Sequence, residues 1–148
     1  MAETAGRRFL VRSATKYLGG VHRLLYRASG GRIGGRLWGL RVVLLTTTGR
    51  QTGKKRTVPL CSLGDGDHTV VIASYGGLDR PPAWWLNLEA NPRAELQKGR
   101  TRRSVTARTA DVEERARLWA EITARAPGYL EYERRTAREI PVVILQSR

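Results

Sequence analysis

RVVLLTTTGRQTGKKRTVPLCSLGDGDHTVVIASY, residues 41–75, decides the fold. β-Branched and aliphatic residues fill RVVLLTTT (41–48), RTVPLCSL (56–63) and HTVVIASY (68–75), the composition of strands. Glycine-bearing polar segments separate them, and GDGD (64–67) reads as a tight turn. Three strands with connections this short predict an antiparallel meander. Pro59, inside the second run, has no N–H for a ladder and so marks an edge or a bulge.

Downstream, GGLDRPP (76–82) breaks the chain and AWWLNLEANP (83–92) reads as a short helix stopped near Asn91-Pro92. AELQKG (94–99) and RRSVTARTA (102–110) read as a strand pair about Gly99. Asp111 can cap a helix over residues 111–126, with Glu113 and Glu114 in the first turn where the helix dipole favours acids. Leu118, Trp119 and Ile122 form that helix's apolar stripe, and Pro127-Gly128 ends it. YLEYERRTA (129–137) is a further helical piece and EIPVVILQ (139–146) a closing strand. Six mainly antiparallel strands with helices inserted late predict an α+β protein on a small, partly open barrel.

Upstream, residues 7–28 place Phe9, Leu10, Tyr17, Leu18, Val21, Leu24 and Leu25 among Arg and Lys at near-helical spacing. Such a segment either lies on an anionic membrane or packs on the domain's own core. SGGRIGGRLWG (29–39) follows as a glycine-rich connector; it lacks the dinucleotide-binding glycine spacing and no strand precedes it. The chain thus divides into a basic segment, 1–40, and a barrel domain, 41–148.

With 148 residues and an apolar fraction of 41%, one core suffices. The net charge is +14, unevenly spread: residues 1–60 hold thirteen Lys and Arg against Glu3 alone, and the rest is near balance. That asymmetry points to a polyanionic partner, whether nucleic acid, anionic membrane or a multiply charged small ligand. No RNP-like strand or helix-turn-helix signal supports a specific nucleic-acid site. Cys61 is the single cysteine and His22 and His68 the only histidines, so a disulfide, a zinc cluster or a His-based triad is not expected. No apolar run reaches the ~20 residues of a membrane span. The expected compartment is the cytoplasm, with peripheral contact on the inner face of the plasma membrane if residues 7–28 dock on lipid.

Three pieces carry chemistry. TTTGRQTGKKR (46–56) has four basic side chains, two glycines and four threonines in eleven residues, far more charge than a turn needs. Its amides can converge on an anion, and Arg50, Lys54, Lys55 and Arg56 add forked and point charges; the bland alternative is a solvated loop. In ASYGGLDRPPAWWLNLEANP (73–92), adjacent Trp84 and Trp85 point about 100° apart on a helix, so one faces the core, and Gly76-Gly77 beside aromatics suits a flat ring system. Tyr129 and Tyr132 share a helical face and can donate to a carbonyl or a nascent oxyanion.

These motifs, in this order, resemble the deazaflavin-dependent nitroreductase family over roughly residues 20–146. The resemblance implies a split β-barrel, similar to the FMN-binding split barrels, and binding of coenzyme F420, a deazaflavin with a phosphodiester and an oligoglutamate tail. It implies hydride transfer from the reduced coenzyme to a quinone-like, nitroaromatic or other conjugated acceptor. On this resemblance Arg50, Lys54, Lys55 and Arg56 receive the acidic tail. Val58, Pro59, Ala73 and Ser74 lie along the ring, and Tyr75, Gly76, Gly77, Trp85 and Asn87 complete the coenzyme pocket. Ser74, Tyr129 and Tyr132 line the acceptor side as the catalytic group. Tyr75 stands where a nitroimidazole-activating member has Lys, and Cys61 where it has Tyr. Relatives of this kind are often homodimers. The alternative reading is a non-catalytic split barrel that holds F420 or a fatty-acid-like amphiphile.

Overall fold

The computed structural model describes Arg23, Arg36, Leu37 and residues 39–148. The amphipathic reading of residues 7–28 and the glycine-rich connector therefore lie, apart from those few positions, outside the described residues.

Seven strands appear in the order β1 (Arg36–Leu37), β2 (Leu40–Thr48), β3 (Lys55–Asp65), β4 (His68–Ile72), β5 (Arg93–Lys98), β6 (Thr101–Thr109) and β7 (Val142–Ser147). Helix α1 (Ala83–Ala90) precedes β5, and α2 (Val112–Arg125) and α3 (Gly128–Arg135) separate β6 from β7. The predicted meander is β2–β3–β4, antiparallel throughout, and β7, β6 and β5 continue the sheet. A second antiparallel pairing, Leu44–Gln97 to Thr46–Glu95, joins β5 back to β2 and closes the barrel. Two-residue β1 is an appendage on β2.

Period-2 alternation explains the core. Val43, Leu45, Val71, Leu96, Val105, Val143 and Leu145 face inward and form one buried cluster, with Val58 and Leu60 against it. The alternate residues Val70, Ile72, Val142 and Ile144 face outward and are covered by Leu118 and Ile122 of α2 and Tyr129 of α3. Trp84 and Leu88 join the inner cluster, and Asn87 between them donates to Thr47 Oγ1 at 3.1 Å. Helix α1 thereby stops the barrel at the end where β2 meets the cationic hairpin.

Two sequence expectations are adjusted. The third strand ends at Ile72, three residues early, because Ser74 has helical torsions (φ −73°, ψ −38°) and Tyr75, Gly76 and Gly77 all have positive φ (47°, 63° and 77°). The second strand runs two residues further than RTVPLCSL, so the tight turn narrows to Gly66-Asp67 with Asp65 opposite His68. The Asp111 cap is present as a full capping box: its carboxylate accepts from Glu114 N–H at 2.9 Å, and Glu114 Oε1 accepts from Asp111 N–H at 3.3 Å.

Candidate active site

The β3–β4 ladder stops at Ser62–Val71. Continuing the register would set Leu60 across from Ala73 and Pro59 across from Ser74, yet no ladder forms there. Two features account for the gap. Pro59 has no N–H to donate. The carbonyls of Ala73 and Ser74 are held by Arg138 instead, at 3.3 and 2.8 Å, and the same guanidinium donates to Leu78 O at 2.8 Å. Along residues 55–61, β3 is therefore paired with β2 on one side only among the described residues. A strand from which its neighbour has pulled away can turn backbone donors and acceptors to a ligand. At Thr57 the carbonyl accepts from the Arg23 guanidinium, which brings a fifth cation to this flank.

One end of that flank is the hairpin at residues 49–54. Gly49 N–H donates to Lys54 O, Gly53 N–H to Gly49 O, Lys54 N–H to Thr52 Oγ1 and Arg50 N–H to Asn87 Oδ1. The expectation of converging free amides is corrected here: these four amides are satisfied inside the protein, so gripping an anion falls to the side chains. Arg50, Lys54, Lys55 and Arg56 are exposed, and among the described residues none enters an ion pair. Arg50 is not adrift in solvent, because Asn87 Oδ1 also accepts from its guanidinium at 3.3 Å. Gly49 is required by close approach: a Cβ there would sit 2.9 Å from Thr52 Oγ1 and 3.1 Å from Lys54 O.

At the other end, Cys61, Tyr129 and Tyr132 meet on the outer face of the sheet. The two phenol rings stand edge to face, centroids 5.7 Å apart, and Cys61 packs on the same cluster. Tyr129 is only 5% exposed. Burial, and then the adjacent Cys61, push its phenol far above the ordinary range, so it is a poor acid in place. Burial likewise raises the Cys61 thiol, with the hydrogen bond to Tyr129 pulling partly back. Tyr132 is half-buried. Ser74 is buried to 9% exposure, and its hydroxyl makes no hydrogen bond among the described residues.

Gly77 joins the turn to α3. A Cβ on it would lie 2.7 Å from Tyr132 O and 3.0 Å from Tyr132 Cα. Its absent side chain thus serves helix docking, where sequence reading placed it against a ring. Tyr75 is 41% exposed with Arg80 over its face at 5.8 Å, and Gly76 has open space around it. The structure brings Arg50 and Asn87 together at α1, whose Trp85 packs instead on the inner cluster, and Gly77 and Tyr132 at α3, with Ser74 in the turn that α3 touches. Arg138 escaped sequence reasoning; it reaches back 60 to 65 residues and no local pattern marks it.

The residues present fit an extended anionic coenzyme. Residues 55–61 span roughly 20 Å of strand, with unpaired cations at one end and a splayed sheet at the other. Trp85 Nε1 is buried without a hydrogen-bond partner among the described residues. Buried donors are normally satisfied, so this indole offers a ligand acceptor a place.

Comparison with known proteins agrees. A protein of Mycobacterium tuberculosis (strain ATCC 25618 / H37Rv) named an F420H(2)-dependent quinone reductase is 41% identical over 145 residues, covering 95% of this chain and 97% of that one. A solved structure described as an F420-H2 dependent reductase (FDR-A) superposes with a TM-score of 0.65 at 40% identity, over 71% of this chain and 93% of the other. Another, described as a domain-swapped dimer, gives 0.68 at 34% identity over 95% and 99%. The family model for F420H(2)-dependent quinone reductase matches residues 20–147, and with a splayed β3–β4 pair, a cationic hairpin and this alignment over nearly its whole length, the chain belongs to the F420H(2)-dependent quinone reductase family.

Proposed function

We propose that this chain binds reduced coenzyme F420 along β3 where β4 splays away from it, and reduces a quinone whose ring lies beside Ser74 and Tyr132. The protein is an F420-dependent reductase; the acceptor and the residue roles are our reading. The observation that carries it is the splay of β3 from β4 at Pro59 and Ser74, with the hairpin cations at its far end. We assign the coenzyme site to residues 41–148; the boundary with the basic segment is not sharp, since Leu40 opens β2 in the core and Arg36–Leu37 pair with that strand.

When bound, the coenzyme supplies a hydride to the acceptor. Arg50, Lys54, Lys55 and Arg56 hold its phosphate and carboxylates. Val58 and Pro59 on one lip and Ala73 and Ser74 on the other set the ring's place, Trp85 offers its indole N–H, and Asn87 acts from behind by anchoring Arg50 to β2. Reducing a quinone to a hydroquinone takes one hydride and a proton for the oxygen that becomes anionic. In this reading Tyr132, half-buried beside the split, donates that proton, with Ser74 Oγ as a neutral donor to the second oxygen. Tyr129 stays protonated in the core and positions Tyr132 through the edge-to-face contact. Cys61 and Tyr129 leave the acceptor side apolar, which suits a quinone; a nitroaromatic of similar shape enters the same space. The relative described as a domain-swapped dimer supports expecting a homodimer. Among the described residues no helix is long and apolar enough to cross a membrane.

Titration of the full chain into F420 should quench or shift the deazaflavin fluorescence, and menadione should then oxidise the reduced coenzyme catalytically. Arg50→Ala with Lys54→Ala should weaken binding by about 1–3 kcal/mol, roughly 5- to 150-fold. A folded sample that leaves the fluorescence unchanged would remove the proposal; binding without turnover on any quinone would leave only the coenzyme half of it.

A further inference from the structure

The barrel has two mouths, and α1 stops only one. At the other, the β3–β4 turn and the ends of β2, β5, β6 and β7 surround an open cavity of about 710 Å³, within the range of small-molecule sites. Arg41 on its wall and Thr48 at the hairpin lie at opposite ends of β2, roughly 23 Å of strand apart. The cavity is therefore separate from the coenzyme site.

Alternation determines its lining. Val43, Leu96 and Val105 belong to the inward rows that fill the barrel. Two residues further along each strand, those rows reach the cavity as Arg41, Lys98 and Arg103. The register sets Arg103 directly opposite Leu96, on the same face. Inward-pointing cations can protect bare sheet edges, and Lys98 and Arg103 lie where β5 and β6 have run past their pairing with β2 and β7; Arg41, however, is paired on both sides, with Arg36 and with Ser62, so edge protection does not account for the cluster as a whole. Among the described residues none of the three cations enters an ion pair. Among the described residues Asp67 and His68 are the other titratable groups on the wall, and His68 keeps a buried Nδ1 with no hydrogen-bond partner there. Burial, and then Arg41 and Arg103, push the Lys98 ammonium below its ordinary range, a mutual repulsion that an anion between them would relieve.

We infer that this open mouth is a second binding site, for a small, multiply charged oxyanion of the phosphate class held between Arg41, Lys98 and Arg103. Two arginine forks and an ammonium match phosphate oxygens, and Thr69 and Thr101 on the same wall add neutral donors. The ligand is a free anion, not a lipid headgroup: the exposed large hydrophobic residues among those described, Tyr75, Leu78, Val112 and Leu130, all lie off this wall, so none of the described residues here offers an apolar anchor for a bilayer.

Calorimetric titration of the full chain with inorganic pyrophosphate at low salt tests this. The wild type binds. Arg41→Gln with Lys98→Met weakens pyrophosphate by about tenfold or more, while F420 affinity stays within about twofold. Arg50→Ala with Lys54→Ala does the reverse, so this result stands or falls independently of the coenzyme reading. Lys98→Arg retains binding, and without anion the Arg41→Gln, Lys98→Met protein melts no lower than wild type, which establishes that it folds. Absence of pyrophosphate binding, or its loss only in the hairpin variant, overturns the inference. So does association with phosphatidic-acid vesicles by a protein that ignores pyrophosphate.

Discussion

At the scale of single residues, Gly77 is the most constrained position near the split. Its φ of +77° disfavours any side chain, and the 2.7 Å approach to Tyr132 O leaves no room for one. Gly77→Ala should cost about 1–3 kcal/mol, seen as a drop of several degrees in the thermal melt. Because the hairpin and α1 are untouched, F420 affinity should hold while turnover falls as Tyr132 shifts. A variant that melts and turns over like wild type would show that α3 is not seated by this contact. The residue types needed here were visible in the sequence, as YGG and the Tyr129–Tyr132 pair. Their partnership was not, since Gly77 and Tyr132 are joined only by tertiary folding. Nor could sequence tell that Tyr129 would be sealed in the core and Tyr132 left half open.

At the scale of elements, α2 shows how much local chemistry can specify. Asp111 and Glu114 form the cap that begins the helix, and Arg108 of β6 grips Glu114 with two bonds of 2.7 and 2.8 Å. The Arg108 guanidinium, and then the Asp111 N–H, hold the Glu114 carboxyl down to about 2, against an ordinary value of about 4.3. The folded value is the depressed one, so this contribution is whole above about pH 4.3 and is lost as pH falls towards about 2. Glu114→Gln cannot titrate. Its melting temperature, lower than wild type at neutral pH and low salt, should converge on it through that acid window; parallel curves would contradict the assignment. The cap was legible because its signals lie within four residues. The split of β3 from β4 was legible only as Pro59, an edge or bulge mark. What opens it further is Arg138, whose carbonyl partners lie 60 to 65 residues earlier in the chain.

At the scale of the molecule, the strands could be counted from β-branched runs and glycine turns, and the antiparallel barrel followed. Its closure through β2 and β5 was not readable, because it depends on how far the sheet twists and not on any motif. The charge asymmetry was readable, and it predicts a long-range effect. Tail binding by exposed cations is screened over about 10 Å at 0.1 M salt. F420 affinity should therefore fall steadily from about 20 to 300 mM salt, while turnover at saturating coenzyme stays flat. Flat affinity in a fluorescence titration across that range would mean the hairpin charges do not meet the tail.

Strand β3 also behaves as a ruler. In the proposed binding mode it carries the tail grip at Lys55 and Arg56 and the ring's lip at Val58 and Pro59 on one unbroken strand. Inserting a single residue between these points would turn every later side chain to the opposite face. Only insertions in pairs keep the faces, each lengthening the span by about 7 Å. Ligand length in this architecture can accordingly change only in quanta, and a coenzyme of intermediate reach has no matching protein one small mutation away.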